Sequence, residues 1–168
     1  MMKLLLKKYY PNFLLLFAII VIIVAMLFQY MFGILPCRMC YYQRIPYYII
    51  IILGLINILV KRDGYRELYM YSCLILFVLN SVLSFYHMGI EYGYFNNIFN
   101  CVSEKNNYHS IAELKSSLVG TINVPCEVVG FKFILSLSGW NFFISLLLGF
   151  FTFYYILIVR GALFCKLK

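Results

Sequence analysis

Long apolar runs separated by short polar stretches are the dominant pattern of the chain. Four runs lie at about residues 13–32, 45–60, 68–88 and 140–159. Each approaches the roughly 20 apolar residues that an α-helix needs to cross a bilayer, although the second is short unless it extends into its flanks. The pattern predicts an all-α membrane protein, a four-transmembrane-helix bundle forming a single domain over residues 1–168.

Composition supports a membrane protein. The chain is 64% hydrophobic and 12% charged, whereas average soluble domains are about 45–50% apolar and about 25% charged. A soluble fold of this length could not bury so much apolar surface. The net charge of +8 comes from basic residues that flank the apolar runs instead of clustering on one domain. This placement favours orientation in a membrane over nucleic-acid binding, so we expect no nucleic-acid partner.

The distribution of Lys and Arg predicts that both termini are cytoplasmic. The first apolar run is too long for a signal peptide and no small-residue cleavage site follows it, so we expect a retained anchor. With the termini inside, nine basic residues lie in inner segments and five in outer ones, as the positive-inside rule requires. The inner ones are Lys3, Lys7, Lys8, Lys61, Arg62, Arg66, Arg160, Lys166 and Lys168, and the outer ones are Arg38, Arg44, Lys105, Lys115 and Lys132.

Two outer loops follow from this topology, at about residues 33–44 and 89–139. The second loop is long and contains the stretch SIAELKSSLVG. Its apolar residues fall on one helical face, which predicts a short amphipathic helix lying on the bilayer. The residues of that face are Ile111, Leu114, Leu118 and Val119.

Four of the six cysteines fall on the outer side, and an even number of thiols in an oxidising compartment is typical of disulfides. Four cysteines allow three pairings. Cys73 lies inside the third run and Cys165 in the cytoplasmic tail, and we expect both to pack or remain free. The outer cysteines are Cys37, Cys40, Cys101 and Cys126.

The Cys37-x-x-Cys40 motif could be half of a zinc site, a structural staple or a redox pair. Zinc requires a second pair or histidines at ligand spacing, and His109 is the one histidine of the second loop, so we expect no metal. A disulfide between Cys101 and Cys126 could simply stabilise the loop by roughly 3 kcal/mol. Closing the small Cys37–Cys40 ring removes almost no chain entropy, which favours a bond kept for exchange.

The surroundings of this pair also favour redox chemistry. Arg38 lies inside the motif, Arg44 follows Cys40 by four residues, and a helix begins there. Cationic neighbours and a helix N-terminus lower the pKa of a thiol and favour the reactive thiolate.

The motif, in its context, resembles the DsbB family of membrane proteins that reoxidise periplasmic disulfide donors. Phe28 and Gln29 are followed after six residues by PCRMCYYQR, which matches the family's C-x-x-C-x-Y-x-R core and its preceding proline. The continuation CYYQRIPYY and the Gly-Trp-Asn at 139–141 resemble the BdbC-type branch. The likeness extends to four spans, with one cysteine pair in each outer loop.

The resemblance implies a role for each outer cysteine. Cys37 and Cys40 match the pair that passes electrons to quinone, with Cys40 nearest the quinone ring. Cys101 would form a mixed disulfide with the soluble partner, and Cys126 would exchange with Cys37. Arg44 matches the arginine of the quinone site, where it would stabilise a thiolate and the developing charge on a quinone oxygen. The alternative for Arg44 is an interfacial anchor that snorkels to water.

The implied activity is that of a quinone-dependent protein-disulfide oxidoreductase of the bacterial inner membrane, with its redox loops in the periplasm. The implied partner is a DsbA-like thioredoxin-fold protein, and the implied cofactor is quinone, either ubiquinone or menaquinone. A DsbA-type oxidant has a potential of about −120 mV, so the cytosolic glutathione pool, at roughly −220 to −260 mV, cannot accept its electrons.

Polar residues in the third run recur at helical spacing and share one face, which we expect to point into the bundle. Asn80 and Ser84 are equally well explained by interhelical hydrogen bonds. For His87 and Glu91, nearer the outer surface, we favour lining a quinone pocket or relaying protons, and His87 also matches a histidine common in the resembling family. Trp140 is expected to anchor the fourth span at the interface.

Two alternative functions follow from the same features. A vitamin K epoxide reductase-like enzyme is also a four-helix, quinone-linked thiol oxidoreductase, but that family places its C-x-x-C on the last helix, whereas here the pair follows the first run. The other alternative is a non-enzymatic four-span membrane protein stapled by disulfides.

Overall fold

The computed structural model describes residues 2–32, 36–60, 62–96, 126, 132–133 and 135–166. Four helices dominate these ranges: α1 (Met2–Tyr30), α2 (Arg38–Val60), α3 (Asp63–Glu91) and α4 (Leu137–Lys166). Each contains a stretch long and apolar enough to span a membrane, and these stretches are Tyr9–Tyr30, Arg38–Val60, Asp63–Glu91 and Leu137–Val159. The predicted four-transmembrane-helix bundle is therefore confirmed.

Helix α2 begins at Arg38, so residues 38–44, which the sequence placed at the end of the first outer loop, are helical. The reason is an inward face that continues through this polar stretch. Met39, Gln43 and Tyr47 recur every four residues and are all buried against the bundle, and residues four apart lie on one side of a helix. The helix thus carries the cysteine motif into its first turn.

The helices pack with α3 along α4, and with α2 between α1 and α3, whereas α1 touches α4 only slightly. Gly54 on α2 allows the closest approach of α1, because a Cβ there would lie 3.0 Å from Leu15. Outward side chains such as Phe150 are apolar and exposed, which suits contact with lipid. The buried core contains Leu14, Ala18, Tyr47, Ile50, Tyr69, Met70, Cys73, Phe77, Leu148, Tyr155 and Ile156.

Polar side chains join the helices inside the bundle. The Tyr47 hydroxyl donates to Asn141 Oδ1 at 2.7 Å, and Asn141 Nδ2 donates to Ser84 Oγ at 2.7 Å. Asn80 Nδ2 donates to Ser145 Oγ at 2.9 Å. Helices in lipid gain little from apolar burial, so such bonds contribute to their association. The interhelical hydrogen bonds expected of Asn80 and Ser84 are confirmed.

A tight turn ends α3 at the end of the bundle that carries the cysteine motif. Gly93 has a φ of 75°, a conformation that glycine adopts without the strain other residues incur. The turn folds Phe95 back onto Gly89, where a Cβ would lie 2.0 Å from the ring. The backbone N–H of Tyr94 donates to the carbonyl of Gly89 at 2.8 Å.

Two short strands precede α4, within the region predicted as loop 89–139. Strand β1 (Lys132–Phe133) pairs antiparallel with β2 (Leu135–Ser136). Ser136 then caps α4, because its Oγ accepts the backbone N–H of Gly139 at 3.2 Å and so satisfies one of the free donors of the first turn. The amphipathic helix predicted over residues 110–120 lies outside the described residues.

Candidate functional site

The cysteine pair lies at the N-terminus of α2. Cys37 directly precedes the helix and Cys40 lies in its first turn. Both are free, with their Sγ atoms 3.1 Å apart. Cys37 is 6% exposed, and Cys40 is partly buried. The spacing places both sulfurs on one side of the helix, close enough to form a disulfide after a small movement.

His87 of α3 faces Cys37. Its Nε2 lies 3.4 Å from Cys37 Sγ. Its Nδ1 accepts a hydrogen bond from Gln43 Nε2 at 3.0 Å. An imidazole nitrogen that accepts a bond carries no proton, so the neutral ring holds its proton on Nε2. That N–H therefore points at the Cys37 sulfur.

The Cys37 sulfur is surrounded by donors that favour the thiolate. Its pKa lies well below the ordinary value, first because of the hydrogen bond with Cys40 and then because of His87, while burial opposes both. The backbone N–H of Cys40 also donates to Cys37 Sγ, at 3.4 Å. A thiolate can only accept, so the Cys40 thiol is the donor in the ionised pair. Cys37 is thus prepared for thiol–disulfide exchange.

Cys126, from the region between α3 and α4, packs against the same pair. It is 1% exposed and lies in a buried cluster with Cys37, Met39 and Ile90. It is disulfide-bonded, and Cys37, Cys40 and Cys73 are free, so none of these three is its partner. The fold therefore brings a disulfide sulfur from residue 126 next to the motif at residue 37. Cys101 lies outside the described residues, as does the side chain of Cys165.

A cavity of about 320 Å³ opens beside Cys40, between α1, α2 and α4. Its walls are mostly apolar, and its polar groups cluster near the cysteine. Cys37 is not among the described residues that line it. The lining residues are Phe17, Ile20, Val21, Val24, Ala25, Phe28, Cys40, Gln43, Arg44, Tyr47, Leu137, Ser138, Trp140, Asn141 and Ile144.

Arg44 lies at the polar end of this cavity, one helical turn after Cys40. Its Nη1 donates to Gln29 Oε1 of α1 at 2.8 Å. Its guanidinium carbon lies 5.3 Å from the centre of the Tyr41 ring, a cation–π contact. The two contacts fix the positive charge beside the cavity, where it can stabilise an anion.

Glu91 lies next to His87, on α3. Glu91 Oε1 is 3.7 Å from His87 Nε2, and Ser138 Oγ donates to the other oxygen of Glu91. Neither residue is among the described residues that line this cavity, and the prediction that they line a quinone pocket or relay protons stays a prediction. Ser138 lines the cavity, so Glu91 connects His87 to the cavity wall through one hydroxyl.

A comparison with protein families decides the classification. A family model described as disulfide bond formation protein DsbB matches residues 7–155, most of the chain. The chain belongs to the DsbB family. No curated protein and no solved structure is significantly similar to it. Membership makes the chain a multi-pass membrane protein of disulfide-bond formation, with a thiol-oxidase role in general and a disulfide-exchange partner. The resemblance drawn from the sequence is confirmed.

The DsbB-type cysteine pair also has the spacing of a metal site. The donor atoms of Cys37, Cys40 and His87 all lie within 4.8 Å of one another. However, the bond from Gln43 to His87 Nδ1 leaves the proton on Nε2, which removes the lone pair that would face a cation. Two thiol sulfurs alone fall short of the four ligands of a structural zinc site.

Three residues of this DsbB site were not singled out from the sequence. Gln43 lies just before the second apolar run, Asn141 lies inside the fourth, and Ser138 lies just before the fourth. A polar side chain in or beside a membrane span already indicates a residue that faces the bundle interior or a functional site. Their significance depends on helix rotation and on contacts between residues far apart in the chain, which periodicity cannot supply.

Proposed function

We propose that this protein oxidises a DsbA-like thioredoxin-fold protein on the periplasmic side of the bacterial inner membrane and passes the electrons to membrane quinone. The observation that supports this best is the position of the Cys37–Cys40 pair. On one side Cys37 packs with Cys126 of the second loop, and on the other Cys40 borders an apolar cavity. The pair is thus adjacent both to a loop disulfide and to space accessible to a lipid-soluble acceptor.

The cavity suits the head of a quinone. Its volume of about 320 Å³ falls within the usual range of small-molecule sites, and such sites are mainly apolar with a few placed polar groups. Arg44 would hold an acceptor oxygen, and Cys40 would face the ring. A bound ubiquinone or menaquinone supplies a sink for two electrons and two protons.

The cysteines relay the electrons by thiol–disulfide exchange. A thiolate of the partner attacks Cys101 of the Cys101–Cys126 disulfide, and the partner's second thiol displaces Cys101 to close the partner's own disulfide. The thiolate left on Cys126 attacks Cys37 of a Cys37–Cys40 disulfide and releases Cys40. Cys101 then attacks Cys126, which restores the loop disulfide and frees Cys37.

The net change is balanced in electrons and protons. The partner's two thiols lose two electrons and two protons, and the Cys37–Cys40 pair receives both as two thiols. The pair then returns to its disulfide as the acceptor takes them up. Arg44 stabilises negative charge on Cys40 and on the acceptor oxygen during this step.

Turnover with purified protein tests the proposal. In an assay with a reduced DsbA-like protein and quinone, we expect Cys40→Ser to abolish quinone reduction. Cys73→Ser is the matched control, because Cys73 is buried, free and remote from the site within the core of α3, and it should retain wild-type turnover. Quinone reduction by Cys40→Ser at the wild-type rate would contradict the assigned role.

A trapping experiment tests the order of exchange. Replacing the second cysteine of the partner by Ser should leave the partner covalently attached to Cys101, because the thiol that displaces Cys101 is then missing. In cells starved of quinone, the Cys37–Cys40 pair should accumulate as dithiol. A pair that stays oxidised without an acceptor would instead support the non-enzymatic, disulfide-stapled alternative.

A further inference from the structure

We propose that Asn141 of α4 is a positioning residue for the cysteine pair, acting through Gln43 to keep the proton of His87 on the nitrogen that faces Cys37. The importance of this arrangement for turnover rests on the proposed function. The arrangement itself can be tested in the reduced protein without partner or quinone.

A line of three contacts connects Asn141 to the reactive sulfur. Asn141 Nδ2 donates to Gln43 Oε1 at 3.3 Å. Gln43 Nε2 donates to His87 Nδ1 at 3.0 Å, and His87 Nε2 lies 3.4 Å from Cys37 Sγ. Gln43 is 7% exposed and His87 is 1% exposed. Water is thus largely kept from competing for these bonds.

The other contacts of the Asn141 amide agree with this orientation. Its Oδ1 accepts from the Tyr47 hydroxyl at 2.7 Å and faces Asn80 Nδ2 at 3.4 Å. An amide nitrogen only donates, so the atom that faces Asn80 Nδ2 must be an acceptor. Nδ2 of Asn141 is left to donate to Ser84 and Gln43.

This orientation determines the proton position on His87. Because Asn141 presents a donor, Gln43 must turn its oxygen towards Asn141 and its NH₂ group towards the imidazole. Nδ1 then accepts, and the proton resides on Nε2. The titratable groups facing Cys37 or His87 in the described part of the chain are Cys40 and Glu91, and neither contacts Nδ1.

The substitution Asn141→Asp replaces the amide donor that faces Gln43 by an acceptor, with little change in the shape of the side chain. A carboxylate only accepts, so Gln43 should turn its amide over, donate to residue 141 and accept from His87 Nδ1. The imidazole proton then moves to Nδ1, and Cys37 loses one of its donors. We expect the pKa of Cys37 to rise by about one unit or more, as for loss of one hydrogen bond to a charged group.

Two measurements on the reduced, detergent-solubilised protein read out this change. Thiolate absorbance at 240 nm, taken as the difference from the same protein carrying Cys37→Ser, gives the pKa of Cys37. The ¹⁵N chemical shifts of the His87 ring show which nitrogen is protonated, and they should exchange between wild type and Asn141→Asp.

Ser145→Ala is the matched control. Ser145 belongs to the same network through Tyr47 and Asn80 but does not contact Gln43 or His87, so the variant should leave the pKa of Cys37 unchanged. Gln43→Met removes the link while keeping the length of the side chain. It should raise the pKa of Cys37 by itself, and adding Asn141→Asp to it should leave the ring ¹⁵N pattern of His87 unchanged.

The outcomes separate the two proposals. An unchanged ring ¹⁵N pattern in folded Asn141→Asp would overturn the positioning role even if the pKa of Cys37 rises, because the added carboxylate can raise that pKa through its charge alone. An equal change in Ser145→Ala would also overturn it. If Asn141→Asp does not fold, an unchanged Cys37 pKa in Gln43→Met overturns it instead. If Asn141→Asp shows the expected changes while the wild-type protein fails to reduce quinone, the proposed function is refuted and the positioning role stays intact.

Discussion

Replacing Arg44 by Met removes the guanidinium from the cavity while keeping most of the apolar stem. In the structure the charge is held in place by Gln29 at 2.8 Å and by the Tyr41 ring at 5.3 Å. A hydrogen bond from a fixed cation to an oxygen gaining negative charge contributes about 1.5–3 kcal/mol. If that bond forms with quinone, its loss should raise the apparent KM for quinone roughly 10- to 150-fold.

The assay follows quinone reduction by purified protein at saturating reduced partner while the quinone concentration is varied. Arg38→Met is the matched control, because Arg38 begins the same helix but is exposed and is not among the described residues of the cavity. Its KM should stay at the wild-type value. An unchanged KM in Arg44→Met, or an equal rise in Arg38→Met, would refute the reasoning and return Arg44 to the role of interfacial anchor.

Two further predictions concern stability. Gly89→Ala should lower the apparent Tm and destabilise the fold by about 1–3 kcal/mol through overpacking, because its Cβ would lie 2.0 Å from the Phe95 ring. Gly64→Ala is the control, because its Cβ would meet no atom within 4 Å, and it should leave the Tm at the wild-type value or above. The pKa of Cys37 is lower in the folded protein than in the unfolded chain. Ionisation of Cys37 therefore stabilises the folded, reduced protein, and this contribution is complete above the ordinary thiol pKa. The contribution declines as the pH falls towards the lowered pKa. Thermal unfolding of reduced protein should therefore gain more stability on going from acidic to alkaline pH in the wild type than in Cys37→Ser, and equal pH dependence would contradict the thiolate assignment.

The parts of the fold that depend on bilayer thickness could be predicted from the sequence. Apolar length alone located four spans, because each must cross the same hydrocarbon layer. The start of α2 could not be located this way, because its first two turns contain Arg38, Gln43 and Arg44 and read as polar loop. Only the buried face through Met39 and Tyr47, visible once the bundle is assembled, shows that this stretch is helical.

The candidate site divides in the same way. The reactive pair is recognisable because a C-x-x-C beside basic residues has few chemical explanations. The surroundings of the pair could not be predicted from the sequence, because Gln43 and His87 are 44 positions apart. They meet only because α2 and α3 turn particular faces towards each other. His87 was predicted to line a quinone pocket or to relay protons, and in the structure it contacts Cys37, which is not among the described residues that line the cavity. Which of these groups His87 contacts depends on the rotation of α3 about its axis. The hydrophobic pattern does not specify that rotation in a span that is apolar on nearly all sides.

Helix α1 contributes mainly shape to the cavity. Its six lining residues, which include Phe17, Val24 and Phe28, are all apolar, whereas the polar lining groups come from α2 and α4. Under the proposed function, the α1 wall would contribute to the fit of the acceptor, whereas the polar groups that act on it would lie on α2 and α4. Exchanging Val24 or Ala25 for bulkier or smaller side chains should change which electron carriers fit while the sulfur chemistry continues, so a lineage that changes its respiratory carrier could adapt through the first helix alone.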